Sequence, residues 1–424
     1  MRPFFARALR HVTTRRLIIF AAVLTPFFLE SLWHARTSTN VASRPFQPLD
    51  APFTTACLEP DVTAMRESAT AVMLARNEEL AGAKQAIESW EQQFNQWFHY
   101  PIVFLNDKPW SDEFIQELRA VASGNVSFET IPESMWDYPD FIDRAAAKAS
   151  MEEQGRKHVF NAGKESYHHM CRFYSGRFYD HPTLQPFQYF WRIEPDVLFT
   201  CAIPYDPFRA MREHGKKYGY AIALWELGDT SPSLFRAVAD YKALHNIHTT
   251  SLWSAMVDAS WAPWPLRKLL ASILPHRDRH GDTWNHCHFW SNFEITDLAF
   301  FRSKEYRDFF DYLDHLGGFY FERWGDSPVH SLAAALFLDP AEIHRFDDIG
   351  YGHPPFWTCP QNAWNKQMLE SNSLGPPLDL SVEREDGIGC RCNCLEDDKK
   401  ANFNNFCFKK FDEALGVKGN GLDH

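Results

Sequence analysis

The sequence predicts an α/β fold built around a central sheet, and two observations support this. Strand-like and helix-like segments alternate between residues 70 and 131, a pattern typical of parallel βαβ units. Further along, the segment 167–201 carries an apolar aromatic strand that runs directly into Glu194-Pro195-Asp196. Acidic residues that end a buried strand face the crevice of an α/β sheet, so Glu194 and Asp196 are candidate ligands for a divalent cation with phosphates. A solvated turn is the alternative interpretation.

The N-terminus predicts a membrane anchor. An apolar run from Leu17 to Leu29 fades by Trp33 and follows five arginines, Arg2, Arg7, Arg10, Arg15 and Arg16. A basic flank before an apolar run keeps the N-terminus cytosolic. The run is short for the roughly 20 residues that span a typical bilayer, which suits a thin membrane of the early secretory pathway. A cleaved signal peptide is the alternative, but the run ends in Pro, two Phe and Leu instead of small residues.

These boundaries divide the chain into five parts. We expect a cytosolic tail over 1–16, a signal-anchor transmembrane helix over 17–33 and a luminal stem over 34–56, which is polar and has no apolar periodicity. The folded domain is expected over 57–415, followed by a tail over 416–424.

The first elements of the domain follow from periodicity. Strands are predicted at 70–75, 101–105 and 125–131, and helices at 78–98 and from Ser111, a plausible N-cap, to 123. Polar pairs end the first two strands, Arg76-Asn77 and Asn106-Asp107, and parallel order brings them to one edge of the sheet, the expected nucleotide crevice. After Glu194 we predict a strand at 218–224 and helices at 205–214, 231–245, 304–316 and 329–338, with Gly317-Gly318 ending the third of these helices.

Composition and missing motifs exclude several classes of protein. The net charge of −12 does not supply the basic surface of a general nucleic-acid binder. The chain has no GxGxxG, GxxxxGK[ST] or GxSxG motif, so a Rossmann dinucleotide site, a P-loop and a hydrolase nucleophile elbow are not supported. Its 15 Trp, 14 Tyr and 36 Phe favour core packing over sugar stacking.

Nine cysteines indicate an oxidising compartment. Most are expected in disulfides, and because nine is odd, at least one is unpaired or intermolecular. The spacing Cys390-Arg-Cys392-Asn-Cys394 resembles a metal cluster but is not the CxxC spacing of a zinc knuckle.

Glu294 is the second acid of interest. It lies between Phe293 and Ile295, where burying a carboxyl without a partner or a task is costly. The nearby histidines, His286, His288, His330 and His353, are each interpreted singly as core or surface residues.

Six ordered motifs carry a resemblance to a known family. They are YHHMCRFYSGRFYDHP, YFWRIEPDVLFTC, YDPF, HFWSNFEI, GGFYFERWGDSPVHS and DIGYGHPPF. In this order behind a short anchor, they resemble the fungal Golgi α-1,2-mannosyltransferases that extend N- and O-linked mannan chains, over about residues 70–360. The resemblance implies a GT-A type glycosyltransferase fold with a mixed central sheet, a GDP-mannose donor, Mn²⁺ and retention at the anomeric carbon. It also implies a single-pass type II protein of the Golgi membrane with a luminal catalytic domain and a mannosylated glycoprotein as acceptor.

The resemblance also implies roles for single residues. Glu194 and His353 match the metal-site positions of the family, and Glu294 matches the carboxylate proposed as nucleophile. Donor-pocket positions match Arg76, Tyr167, Arg192 and Asp326. Asp196 stands where the family varies, which weakens its candidacy as a metal ligand. Retention allows either a covalent adduct of Glu294 or a same-face reaction in which Glu294 stabilises an oxocarbenium-like sugar.

Two alternative functions remain at this stage. Mannosylphosphate transfer shares the same donor site in this family, and a catalytically silent mannan-binding protein would retain the sugar without using the donor.

Overall fold

The computed structural model describes residues 2–38, 53, 57, 59–360, 388–392, 394 and 406–415. Its strands are β1 (Ala69–Leu74), β2 (Ile102–Asn106), β3 (Val126–Thr130), β4 (Tyr189–Ile193), β5 (Leu198–Phe199), β6 (Tyr218–Tyr220), β7 (Ala223–Trp225), β8 (Val257–Asp258), β9 (Thr283–Trp284), β10 (Cys287–Phe289), β11 (Phe293–Asp297), β12 (Ile343–Arg345), β13 (Tyr351–His353) and β14 (Phe356–Thr358).

The helices carry the rest of the regular structure. They are α1 (Arg2–Thr37), α2 (Leu80–Trp90), α3 (Gln96–Phe98), α4 (Asp112–Val121), α5 (Glu133–Trp136), α6 (Arg144–Arg156), α7 (Glu165–Gly176), α8 (Pro207–Glu213), α9 (Leu234–Leu244), α10 (Ser251–Ala255), α11 (Trp264–Ile273), α12 (Leu298–Arg302), α13 (Lys304–Leu316), α14 (Gly318–Phe321), α15 (Asp326–Phe337) and α16 (Phe406–Leu415).

A seven-stranded mixed sheet forms the centre of the fold, in the order β12-β6-β11-β4-β1-β2-β3. Strands β3, β2, β1 and β4 run parallel, and β11 enters antiparallel between β4 and β6. The predicted α/β fold with a mixed sheet is confirmed. Because β1, β2 and β4 are parallel neighbours, their carboxyl ends share one edge.

Most predicted elements lie where periodicity placed them. Ser111 caps α4 by accepting a hydrogen bond from the Phe114 amide, and α13 ends at Gly317, whose φ of 73° is left-handed. The strand predicted at 218–224 is wrong as one element. It is split into β6, in the central sheet, and β7, which pairs with β10, and both halves are almost entirely buried, so periodicity gave no sign of the break.

Aromatic side chains fill the core beneath β4. Trp191 of β4 packs edge-on against Trp90 of α2, with ring centroids 5.8 Å apart, and Phe94 lies 5.3 Å away. Both tryptophans are fully buried. The prediction that aromatic content serves core packing is confirmed for these residues, and the packing fixes the strand that leads into Glu194.

The N-terminal helix α1 extends through Thr37, beyond the predicted span of 17–33. Within it, Ile18–Thr37 is long and apolar enough to cross a membrane, with mean hydropathy 1.5 and only 11% of the most apolar window buried. The predicted stem over 34–56 therefore begins as helix, and its residues 39–52 and 54–56, like the predicted tail 416–424, lie outside the described residues.

Four disulfides connect distant parts of the chain: Cys57–Cys390, Cys201–Cys392, Cys287–Cys407 and Cys359–Cys394. Cys171 is free and buried. The prediction of disulfides with one unpaired cysteine is confirmed.

Candidate functional site

The candidate site lies at the carboxyl edge of the central sheet, where β4 ends. Glu194 follows the strand directly, and 20% of its side chain is exposed. Asp196 is exposed and has a left-handed φ of 66°. It lies against α2, because a Cβ on Gly82 would be only 2.2 Å from Asp196 Oδ1. The two acids therefore point to different neighbours, and Glu194 alone of the two contacts the polar cluster described next.

Arg192 is the centre of that cluster. Its buried guanidinium donates to Glu194 Oε1 over 2.6 Å, to Ser291 Oγ over 3.2 Å and to Asp326 Oδ2. The same group lies 3.5 Å over the ring of Tyr174. A buried cation is stable only when its charge and its donors are matched, and two carboxylates, a hydroxyl and an aromatic face do so here.

Asp326 is held ionised at the start of α15. Burial alone would raise the pKa of Asp326, but the charges of Arg192 and His330 and the hydrogen bonds from Arg192 and Ser291 lower it below its usual value. Its position in the first helical turn also favours a negative charge. The carboxylate is thus a permanent counter-charge that orients Arg192.

The pKa of Glu194 is shifted in the opposite direction. Burial raises the pKa of Glu194, and the charge of Arg192 opposes this without cancelling it. Nearby Asp326 raises the pKa further, whereas a charge on His353 lowers it. Within the described residues, only Oε1 of Glu194 has a hydrogen-bond partner. Oε2 therefore has no hydrogen-bond partner among the described residues, and a nearby positive charge would stabilise the ionised form of this carboxyl group.

His353 reaches this site on a hairpin. Strand β13 pairs with β14 on one side and with β5 on the other, where Gly352 lies opposite Leu198. Since β5 begins four residues after Glu194, this pairing brings two segments that are distant in the sequence to one place. The His353 ring packs edge-on against Trp290, 5.3 Å away, and its Nδ1 is 3.2 Å from the Pro354 carbonyl.

The pair of Glu194 and His353 fits the requirements of a divalent transition metal. One carboxylate oxygen and one imidazole nitrogen suit Mn²⁺ and differ from an all-oxygen calcium cage. In the described part of the chain, no group of three or more His, Cys, Asp or Glu side chains is arranged to hold a metal ion. The remaining ligands would have to come from a bound phosphate or water.

Glu294 is buried in β11, directly opposite Arg192 of β4. Its Oε2 lies 3.1 Å from His330 Nδ1, and its Oε1 accepts from Thr296 Oγ over 3.3 Å. His330 Nε2 lies 2.9 Å from the Tyr174 carbonyl, which only accepts, so the proton of the neutral ring is on Nε2. The two fully buried side chains thus form a hydrogen-bonded pair next to Arg192.

Tyr167 lies on α7, where the charge of Asp326 acts on its hydroxyl. The guanidinium of Arg323 is 5.5 Å from the centre of its ring and forms a buried ion pair of 2.9 Å with Glu226. Burial raises the pKa of the Tyr167 hydroxyl, so it remains a hydrogen-bond donor at neutral pH.

Arg76 lies at the end of β1 and is exposed. Its backbone amide donates to Glu79 Oε2 over 2.8 Å, and within the described residues its guanidinium forms no ion pair. Since β1 is a parallel neighbour of β4, Arg76, two residues after the end of β1, lies at the same sheet edge as Glu194.

Three members of the site were not predicted from the sequence. Ser291 bonds both Arg192 and Asp326, Tyr174 lies under the guanidinium, and His330 pairs with Glu294. The available signal was the spacing of four between Asp326 and His330 on one helix, which places both on the face that meets the sheet.

Comparison with known proteins gives the site its context. A family model described as glycolipid 2-alpha-mannosyltransferase matches residues 34–373. The chain is 40% identical over 349 residues to O-glycoside alpha-1,2-mannosyltransferase homolog 4 of Schizosaccharomyces pombe, covering 78% of this chain and 73% of that protein. It is 42% identical over 303 residues to alpha-1,2 mannosyltransferase KTR1 of Saccharomyces cerevisiae, covering 71% and 72%.

Solved structures agree. Core-mannan synthase A of Aspergillus fumigatus, in its Mn/GDP form, matches with a TM-score of 0.67 and 30% identity over 89% of this chain and 93% of the other. The mannosyltransferase Ktr4p of Saccharomyces cerevisiae, in complex with GDP, matches with a TM-score of 0.66 and 32% identity over 86% and 90%. The expected GT-A type fold and the family resemblance are both confirmed. The chain belongs to the glycolipid 2-alpha-mannosyltransferase family.

Proposed function

We propose that this protein is an α-1,2-mannosyltransferase that transfers mannose from GDP-mannose to a mannose residue of a protein-linked N- or O-glycan. The observation that supports the proposal is that β13 pairs with β5, which brings the segment of His353 to the segment that follows Glu194, so that a charge on His353 acts on Glu194 beside Arg192. It lies at the sheet edge where an α/β fold binds nucleotides. Similar structures solved with GDP and with Mn/GDP support this choice of donor and metal.

Glu194 and His353 are the proposed ligands of Mn²⁺, through Glu194 Oε2 and the His353 imidazole. Burial raises the pKa of Glu194, and a bound cation would act against this shift by favouring the ionised carboxylate. When bound, the ion would offset the negative charge that develops on the departing GDP. Arg192 and Asp326 act by positioning, because the buried guanidinium is already committed to Glu194, Ser291 and Asp326.

Arg76 and Tyr167 are the proposed donor contacts. The exposed guanidinium of Arg76 makes no ion pair in the described residues and is free to donate charge-assisted hydrogen bonds to phosphate. Tyr167 offers a hydroxyl donor and an aromatic face whose position Arg323 fixes.

Glu294 is proposed to stabilise positive charge on the reacting sugar, in a retaining reaction on one face. Its complete burial and its bond to His330 favour this role over direct attack on the anomeric carbon. A carboxylate held in a low-dielectric site acts strongly on charge that develops a few ångströms away.

The proposed location is the Golgi membrane, with α1 as a type II signal anchor and the catalytic domain in the lumen. The arginine-rich flank before the apolar run supports this orientation.

The function is tested by incubating the full chain with GDP-mannose, Mn²⁺ and methyl α-mannoside. We expect a disaccharide linked through O2, loss of transfer on chelation and recovery on adding Mn²⁺. Absence of transfer to any mannoside acceptor contradicts the proposal. Phosphate in the product would instead identify mannosylphosphate transfer.

The metal ligands are tested through GDP binding, measured by calorimetry with and without Mn²⁺. Glu194→Ala and His353→Ala should each weaken binding only when Mn²⁺ is present, by at least the ~10–100-fold typical of losing a residue that supports a metal site. Asp196→Ala and His315→Ala are the matched controls, since Asp196 faces α2 and His315 stacks on Phe141. Normal Mn²⁺ stimulation in either ligand variant removes that residue from the site.

The role of Glu294 is tested with Glu294→Gln. Removing the charge should lower kcat by about 10²–10³-fold and leave GDP affinity unchanged, since the effect is confined to the transition state. Turnover near that of the wild type contradicts both the charge-stabilising and the nucleophilic role.

A further inference from the structure

Helix α11 exposes most of its large apolar side chains and buries a charged one. A surface helix normally buries its apolar stripe and exposes its charges. In α11 the buried side chains are Arg267 and Ala271. The large apolar side chains of the helix point outward, with exposed fractions of 57% for Trp264, 47% for Leu266, 55% for Leu269 and 65% for Ile273. Trp261, just before the helix, is 67% exposed. Such a patch marks a surface that meets an apolar partner.

The buried cation of α11 attaches the helix to α1. Arg267 Nη2 donates to Glu30 Oε1 over 2.6 Å, and the backbone amide of Trp264 donates to Glu30 Oε2 over 2.9 Å. One turn later, His34 Nε2 lies 2.7 Å from Asp282 Oδ1. Glu30 and His34, near the C-terminal end of α1, therefore hold the folded domain.

The loop before α11 lies beside the apolar part of α1. Trp261 and Pro263 line a cavity of about 580 Å³ together with side chains of α1 between Ala21 and Ser31. These residues belong to the apolar run and to the candidate membrane span that begins at Ile18. If α1 crosses a bilayer, Trp261 therefore lies beside apolar side chains of the membrane-spanning helix.

We propose that α11 and the loop from Trp261 to Pro263 lie in the luminal face of the bilayer, with lipid covering the exposed apolar side chains. The inference rests on the proposed type II anchor. Tryptophan is enriched at membrane interfaces, and a helix with one strongly apolar face lies in the interface plane. The occupant is lipid because the helix that enters the membrane is bonded to α11 itself.

In this arrangement the catalytic domain is held against the luminal surface of the membrane. Two separate contacts, Glu30 with Arg267 and His34 with Asp282, join the domain to the end of the anchor. A domain joined in this way has a fixed orientation relative to the membrane. The sheet edge that carries Glu194 therefore lies at a fixed distance from the membrane surface.

The test uses the full chain in liposomes that contain a carbene-generating apolar photolabel, with labelled peptides mapped by mass spectrometry. We expect label in the peptide covering 17–33 and in the peptide covering 261–274. Label in the peptide 17–33 without label in the peptide 261–274 contradicts the placement of α11 in the bilayer but is consistent with the anchor. Label in neither contradicts the anchor, and with it this inference.

A variant pair makes the test specific. Leu269→Glu with Ile273→Glu should reduce label in 261–274 at least about tenfold, because a carboxylate is excluded from the apolar part of a bilayer, while label in 17–33 persists. Leu316→Glu is the control, since Leu316 is similarly exposed, at 50%, and lies at the end of α13. Mannosyl transfer by each variant confirms folding. Labelling of 261–274 that is insensitive to the double substitution overturns the proposal.

Discussion

At the scale of single residues, the site is organised by charge matching around Arg192. Motifs single out Glu194 and His353, but the proximity of their segments depends on β13 pairing with β5, which local sequence does not reveal. The partner of Glu294 was not foreseen either. His330 is 36 residues away, and its spacing of four from Asp326 indicates a shared helix face but not that it pairs with Glu294.

Asp348 gives a prediction on pH. Burial raises the pKa of Asp348 from 3.8 to about 7, with Asp347 adding to the shift and the hydrogen bond from Tyr205 opposing it. A raised carboxyl pKa contributes stability that is complete below the unfolded value and is lost as pH rises through about 7. The loss is at most about 4 kcal/mol.

Asp348→Asn should therefore flatten the dependence of stability on pH, since an amide resembles the protonated acid and does not titrate. The measurement is the thermal unfolding midpoint of the full chain at pH 5 and at pH 7.5. Asp311→Asn, at an exposed position, should follow the wild type. Identical pH responses of wild type and Asp348→Asn would contradict the prediction.

At the scale of elements, the hairpin of β13 and β14 matters for the proposed metal site because it carries His353. Periodicity predicted the buried strands and long helices well, since each has a repeating apolar pattern. It failed at short elements such as β5 and β13, which have two or three residues and are defined by their pairing partner alone.

Gly352 gives a prediction for this hairpin. A Cβ at Gly352 would be 1.6 Å from Trp357 Cε3, so Trp357 must leave the face of β13. Gly352→Ala should cost about 1–3 kcal/mol as overpacking does, and should displace His353. Binding of GDP in the presence of Mn²⁺ is the readout, and it should weaken.

Gly163→Ala is the matched control, because the nearest atom to its Cβ would be at an ordinary 3.5 Å. Unchanged Mn²⁺-dependent GDP binding in Gly352→Ala would mean that the hairpin tolerates the methyl group without moving His353.

At the scale of the whole molecule, disulfides join the C-terminal part of the chain to the catalytic core. Helix α16 is held by Cys287–Cys407, by the ion pair of Arg345 with Asp412 and by Phe411, whose ring is 4.7 Å from that of Phe289. The sequence predicted disulfides from the cysteine count, but pairing depends on the three-dimensional fold and was not predictable.

The double variant Cys287→Ser, Cys407→Ser should lower the free energy of unfolding by about 2–5 kcal/mol, since the bond closes a loop of 120 residues. Thermal unfolding measures this, and limited proteolysis should release a fragment containing α16. Cys171→Ala, which removes a thiol that is in no disulfide, should release none. Equal protease resistance of the double variant and the wild type would show that packing alone retains α16.

The three alternating cysteines Cys390, Cys392 and Cys394 have a consequence for the order of events during synthesis. Each bonds a different earlier segment, through Cys57, Cys201 and Cys359. Cys57 and Cys201 are synthesised 333 and 191 residues before their respective partners, so their native bonds cannot form until the segment 390–394 has been made. That segment closes three crosslinks, and a product truncated before it leaves all three of the earlier thiols available to oxidising enzymes and quality control.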